Sequence, residues 1–266
     1  MQKICTIAGL LLLILGVGWQ QVLAASGLPN SPRFGYGTRI NLAAHPTTDL
    51  AAPFSMAARS NLEWIALDFD WAAHSPNPGE TDLTWLDPAM QLAGANSLHV
   101  LLTLTHPPTW ATDSAGPNAE QSASLVVSLA QRYPGTLLAV ELFPAANTTQ
   151  GWGRPPDPQA YIHLLRTVQA ALQAAQAEIT LVAAGLTPLP DPAPAGAMAD
   201  SLFLAALYDA GGLEVMPIIS IRLSAIQGEP LAAPGNAWPP RLRHFETVRQ
   251  VMLNHGHERG LIWITG

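Results

Sequence analysis

The sequence contains one cysteine and one lysine in 266 residues, and both fall within the first five positions. With Cys5 as the sole thiol, no disulfide can form within the chain, and beyond the N-terminus there is neither a cysteine nucleophile nor a thiolate metal ligand. Stability must come from packing, and a chain of this length with 48% hydrophobic residues can build one large core. Charge is also sparse, at 12% of residues. Lys3 aside, eleven arginines face nineteen acids, so the net charge of −7 becomes −8 without Lys3. A nucleic-acid partner is not expected, because binding a phosphate backbone needs concentrated positive charge.

Charge is absent altogether from residues 4–17, an apolar run that follows Lys3 and leads to Val22-Leu23-Ala24-Ala25. The run is shorter than the ~20 residues of a comfortable membrane span, and the small residues after it suit signal peptidase. Residues 1–25 are therefore expected to be a signal peptide or an N-terminal anchor, which places the protein outside the cytoplasm, secreted or held at the membrane by this segment. Residues 26–33 are expected to be a linker, and residues 34–266 one domain.

Within that domain, apolar runs at 34–41, 62–69, 99–105, 137–143, 179–186, 215–221 and 261–265 read as seven strands. Their starts lie 28 to 46 residues apart, room for one helix and two loops each time. Helical periodicity is clearest in Tyr161, Leu164, Leu165, Val168 and Leu172, and recurs in Leu202, Phe203, Ala206 and Leu207 and in Phe245, Val248 and Met252. Alternating strands and helices predict a parallel α/β sheet covered on both faces. No glycine-rich phosphate loop follows the first strand, which argues against a dinucleotide-binding open sheet. Polar and aromatic residues gather instead just after the strands: Asp70 and Trp71, His106 and Trp110, Asn147 and Trp152. The predicted fold is a TIM-type β/α barrel with these residues at its C-terminal mouth. Seven strands rather than eight make it an incomplete or open barrel with unpaired strand edges.

The segments Leu67-Asp68-Phe69-Asp70-Trp71, Pro107-Pro108-Thr109-Trp110-Ala111, Val140-Glu141-Leu142-Phe143-Pro144-Ala145-Ala146-Asn147 and Leu261-Ile262-Trp263-Ile264-Thr265-Gly266 carry a resemblance in their order and spacing. Together they resemble the retaining glycoside hydrolases of the large β/α-barrel clan that includes cellulases, xylosidases and β-galactosidases. In that clan the fourth strand ends in Trp-Asn-Glu-Pro, with the acid/base glutamate, and the seventh in Ile-Thr-Glu, with the nucleophile. Here the corresponding positions are Ala145 and Gly266, and the sugar-contacting asparagine is replaced by Pro144. A retaining mechanism needs two carboxyl groups ~5–5.5 Å apart, and neither alanine nor glycine supplies one. What the resemblance implies is a fold and a cleft that have lost both catalytic glutamates.

Candidate carbohydrate contacts are Asp70, Trp71, His106, Trp110, Asn147, Trp152 and Trp263, the indoles because sugar rings stack on them. Glu141 lies on the same side of its strand as Ala145 but ~13 Å deeper by extended-chain rise, so it is expected to be a structural carboxylate paired with Arg39 or Arg222. Trp64 and Trp85 read as packing residues. His255 and His257 beside Glu258 are expected at the opposite end of the barrel from the mouth; no calcium-loop or zinc pattern occurs, and neither metal nor cofactor is expected. The leading expectation is an exported, catalytically inactive barrel that binds an oligosaccharide or polysaccharide or serves as a scaffold. The alternative is an active glycosidase that uses other carboxylates, such as Asp70 or Asp113, or whose sequence is truncated.

Overall fold

The computed structural model describes residues 35–42, 50–223 and 242–266. The expected leader and linker, and the proline-rich segment 228–240, lie outside the described residues. Seven parallel strands form one sheet in sequential order: β1 (Gly37–Arg39), β2 (Trp64–Asp70), β3 (His99–Thr105), β4 (Leu137–Leu142), β5 (Thr180–Leu186), β6 (Ile218–Ile221) and β7 (Leu261–Ile264). Between them run α1 (Ala51–Arg59), α2 (Trp71–His74), α3 (Leu86–Ala95), α4 (Ala119–Arg132), α5 (Thr149–Trp152), α6 (Pro158–Ala174), α7 (Asp200–Asp209) and α8 (Phe245–Asn254). This is a TIM-type β/α barrel that stays open, since among the described residues no backbone pairing joins β7 to β1.

Alternation along the strands separates two cores. Ile65, Leu67 and Phe69 on β2, Val100, Leu102 and Leu104 on β3, and Val140 and Leu142 on β4 point outward and pack under the helices. Their alternates face inward, where Trp64, Ala66, Leu101, Ala139, Val182, Ile218 and Trp263 make a small apolar layer. The sheet curls enough for Trp64 on β2 to meet Trp263 on β7 edge-on, with ring centroids 5.0 Å apart. One layer closer to the mouth, Arg39 on β1 pairs with Asp68 and donates to the Thr265 carbonyl just after β7 at 2.5 Å. Two side-chain contacts therefore bridge a seam that the backbone leaves open.

The longest helix shows why these segments fold locally as they do. Asp157 caps α6 by accepting from the Ala160 amide at 3.0 Å, and Pro158 occupies the first turn, where its missing N–H costs nothing. All five apolar residues of its predicted stripe are buried. In α7 the buried set is Phe203, Leu204, Leu207 and Tyr208, whereas Leu202, expected on the inner face, is exposed. It lies one residue, about 100° of helix, from Phe203 and so falls off the stripe.

Candidate functional site

The C-terminal ends of β2 to β7 make the mouth. Four non-glycine residues there adopt positive φ: His106 at 45°, Phe143 at 48°, Ala145 at 62° and Ala184 at 78°. Such conformations cost on the order of 1–3 kcal/mol each and persist where surrounding bonds enforce them. The bonds are present: the His106 carbonyl accepts from the Ala72 amide at 2.8 Å, Phe143 donates to the Leu104 carbonyl at 2.9 Å, and Ala145 donates to the Gly185 carbonyl at 2.8 Å. The Ala184 amide donates to the buried Tyr161 hydroxyl at 2.7 Å.

At the rim, Asp70 has both oxygens occupied. Its Oδ1 accepts the Ala73 amide at 3.0 Å, capping α2, and its Oδ2 meets His106 Nδ1 at 2.9 Å. His106 remains 66% exposed and is followed by Pro107 and Pro108. The imidazole is thus oriented by a carboxylate that is itself oriented by a helix, leaving Nε2 to face solvent. Trp110, half-buried, donates from Nε1 to the Ser75 carbonyl at 2.9 Å.

The remaining predicted contacts are placed differently. Trp71 and Trp152 are each 1% exposed and offer no ring face to a ligand. They belong to an aromatic ladder in which Trp110, Trp71, Phe143, Trp152, Tyr161 and Phe203 touch in succession, with centroid separations of 5.4 to 6.4 Å. Asn147 is fully buried: Nδ2 donates to the carbonyls of Thr187 and Met198, and Oδ1 accepts the Thr187 amide, so it ties the loop after β4 to the segment after β5. Trp263 lies in the interior apolar layer against Trp64, beneath the polar layer of the mouth. Of the seven predicted contacts, the structure leaves Asp70, His106 and Trp110 at an accessible rim.

Beneath the rim sits Glu141, 0% exposed. Its expected arginine partner is corrected by the structure. Thr103 Oγ1 donates to Oε2 at 3.0 Å, and Thr265 Oγ1 donates to Oε1 at 2.8 Å. Arg39 pairs instead with Asp68 on the adjoining β2. The depth expectation also changes. Past Leu142 the chain leaves the strand through two positive-φ residues, so the extended rise overstates the distance to Ala145. Glu141 lies near Gly266 and Gly185: Thr265, its partner, adjoins Gly266, and a Cβ on Gly185 would sit 3.0 Å from its Oε1 and clash with Pro144. Thr103 and Thr265 carried a signal in the sequence, since each lies two residues along from an inward-facing apolar residue and so shares its face.

Arg222 follows β6, its amide donating to the Leu186 carbonyl at 2.8 Å. A Cβ built on Gly266 would meet Arg222 Nε at 3.2 Å, Nη2 at 3.3 Å and Cζ at 3.5 Å. The guanidinium therefore stands beside Gly266, the position that the sequence resemblance aligns with the family's nucleophile. Asp113, the other carboxylate considered as a substitute, is engaged in its own turn by the Ala115 amide at 2.8 Å.

At the far end of the barrel, His257 is bonded to the Tyr208 hydroxyl at 2.7 Å and His255 to the Val251 carbonyl at 2.8 Å, so both rings are used in packing. Among the described residues no cluster of three metal-ligating side chains occurs, and no helix is long and apolar enough to cross a membrane.

No protein-family model and no curated protein matches the sequence. Solved structures do. A family 39 glycoside hydrolase from the gut symbiont Bacteroides cellulosilyticus WH2 matches with a TM-score of 0.61 at 17% identity, over 86% of this chain and 48% of its own. A β-galactosidase from the psychrophilic Marinomonas ef1 matches at 0.55 and 14% identity, over 87% and 48%. A family 10 endoxylanase retrieved from a sugarcane soil metagenome matches at 0.57 and 11% identity, over 87% and 66%. The chain thus spans about half the length of the first two proteins and about two thirds of the third. What is shared at these identities is the fold, a glycosidase-type β/α barrel.

Proposed function

We propose that this chain, with a glycosidase-type barrel as its premise, binds carbohydrate at the barrel mouth without cleaving it, and that residues 1–25 direct its export. The observation that carries this reading is the lack of a usable carboxylate pair. Ala145 presents a methyl group and Gly266 a hydrogen, while Glu141 is sealed under Pro144 and Gly185 with a threonine hydroxyl on each oxygen. General acid catalysis and covalent catalysis each contribute orders of magnitude in rate, and among the described residues neither has a carboxylate pair at the two expected positions to perform it. Support for sugar binding comes from the rim, where the His106 Nε2 and the partly exposed Asp70 carboxylate are fixed in direction beside Trp110. The neighbours in fold, named as glycoside hydrolase, β-galactosidase and endoxylanase, support a saccharide as the partner class.

Two measurements test this. Aryl glycosides incubated with the purified protein should release no more phenol than buffer; turnover that disappears in Asp70→Ala would overturn the non-catalytic reading. Titration with oligosaccharides should give a saturable change in tryptophan fluorescence that is weakened in His106→Ala. If no glycan perturbs the signal, the barrel is a scaffold and the binding reading fails.

A further inference from the structure

We infer that Arg222 is a ligand-contacting residue which receives the carboxylate of an acidic sugar at the centre of the mouth. The inference rests on the carbohydrate-binding reading and specifies its ligand class. Arg222 is fixed by its backbone at the ends of three strands: its amide bonds to Leu186 after β5, while its neighbours Ile221 and Leu223 bond to Thr265 and Gly266 after β7. Its side chain is half-buried and lies over Gly266, within 3.2 to 3.5 Å of where a Cβ would be.

Among the described residues, Arg39, Asp70 and Glu141 at the mouth are compensated from within. Arg39 faces Asp68 and the Thr265 carbonyl, Asp70 faces His106 and the Ala73 amide, and Glu141 accepts from Thr103 and Thr265. By contrast, no hydrogen bond or ion pair ends on the Arg222 guanidinium among the described residues. A guanidinium holds five N–H donors in a planar fork, cannot lose its charge in the accessible pH range, and matches a carboxylate bidentately. A partly desolvated arginine with none of those donors used lacks a partner of that geometry.

Arg222 stands where the resembling family's chemistry is expected to lie. With Gly266 and Ala145 small, neither position supplies a side-chain carboxylate to the guanidinium. The whole chain carries a net charge of −7, so long-range steering does not favour a polyanion. Selection has to arise by contact, one carboxylate on one arginine.

The test compares a uronic acid oligosaccharide with the same oligosaccharide methyl-esterified, by calorimetry on the wild-type protein and on Arg222→Gln and Arg222→Lys. A charge-assisted bidentate contact corresponds to about 10- to 100-fold in Kd. The acid should bind tighter than its ester by that factor. Arg222→Gln should bring the acid to the level of the ester, while Arg222→Lys, which keeps the charge and loses the fork, should fall between. Equal affinity of acid and ester in the wild type would overturn the inference without any variant, and would leave the carbohydrate reading standing. So would an acid affinity that ignores Arg222→Gln in a protein whose melting curve is unchanged. Inorganic sulfate competing as effectively as the sugar acid would make Arg222 a general anion site and overturn the sugar assignment. If neither acid nor ester binds, the carbohydrate reading itself fails and this inference with it.

Discussion

Ala145 is held at φ 62°, where an L side chain crowds its own backbone and glycine does not. The penalty is about 1–2 kcal/mol, and the added freedom of glycine in the unfolded chain offsets about 0.4–1 kcal/mol of it. Ala145→Gly should therefore raise the unfolding free energy by roughly 0.5–1 kcal/mol, read as an increase in urea midpoint with an unchanged slope. A lower midpoint would show that the residue does not occupy that conformation in solution. That Ala145 and Gly266 stand at the family's glutamate positions is an expectation of the motif order alone. The conformation of Ala145 was not legible there, because nothing about an alanine announces positive φ; it is imposed by the Gly185 carbonyl, which comes from another strand. The same limit explains Glu141. Its burial follows from alternation along β4, but its threonine partners come from the adjoining β3 and, across the curled sheet, from the end of β7.

Secondary-structure elements were more legible than their contacts. The third strand is found at His99–Thr105 as the apolar run predicts, and α6 buries its whole predicted stripe. The first strand shrinks from the eight residues expected to Gly37–Arg39, pairing on one side with β2. The four-residue helices α2 and α5 left no periodic trace, being too short for a repeat, and are set by the side-chain caps of Asp70 and Thr148. Between elements, His257 joins the loop after α8 to Tyr208 on α7. Burial lowers its pKa, with the positive charge of Arg249 acting in the same direction, and burial raises that of the Tyr208 hydroxyl. Since the folded pKa of His257 lies below the unfolded value of 6.5, the fold favours the neutral ring. Its contribution is complete above that value and is lost as pH falls through 6.5 toward the folded pKa. Melting temperature should accordingly decline as the pH is lowered through 6.5. His257→Gln, which keeps a polar partner for Tyr208 and cannot be protonated, should flatten the decline; an equally steep profile in the variant would assign it to other groups.

For the whole molecule, seven strands, their order and the open state of the barrel could be read from the spacing of apolar runs, because parallel strands need long crossovers. How the opening is spanned could not. The contacts of Trp64 with Trp263 and of Arg39 with Thr265 join residues some two hundred positions apart, and no local pattern encodes them. Those bridges hold the two sides together but leave two rows of backbone groups without partners among the described residues. Along β7, Leu261 and Thr265 donate to β6, so the pleat turns the amides of Ile262 and Ile264 the other way. These two edges, β1 and β7, are different and run in the same direction, so one copy's β7 can meet the next copy's β1 in a head-to-tail join that need not close. Light scattering should rise with concentration faster than a monomer–dimer equilibrium allows, and Ile264→Lys, which places a charge on the exposed edge, should suppress the rise. If scattering is indifferent to both concentration and that substitution, the edges are covered in solution. A sheet whose first and last strands are joined, among the described residues, only through side chains can widen or narrow at that seam by changing rotamers, without breaking a single ladder hydrogen bond.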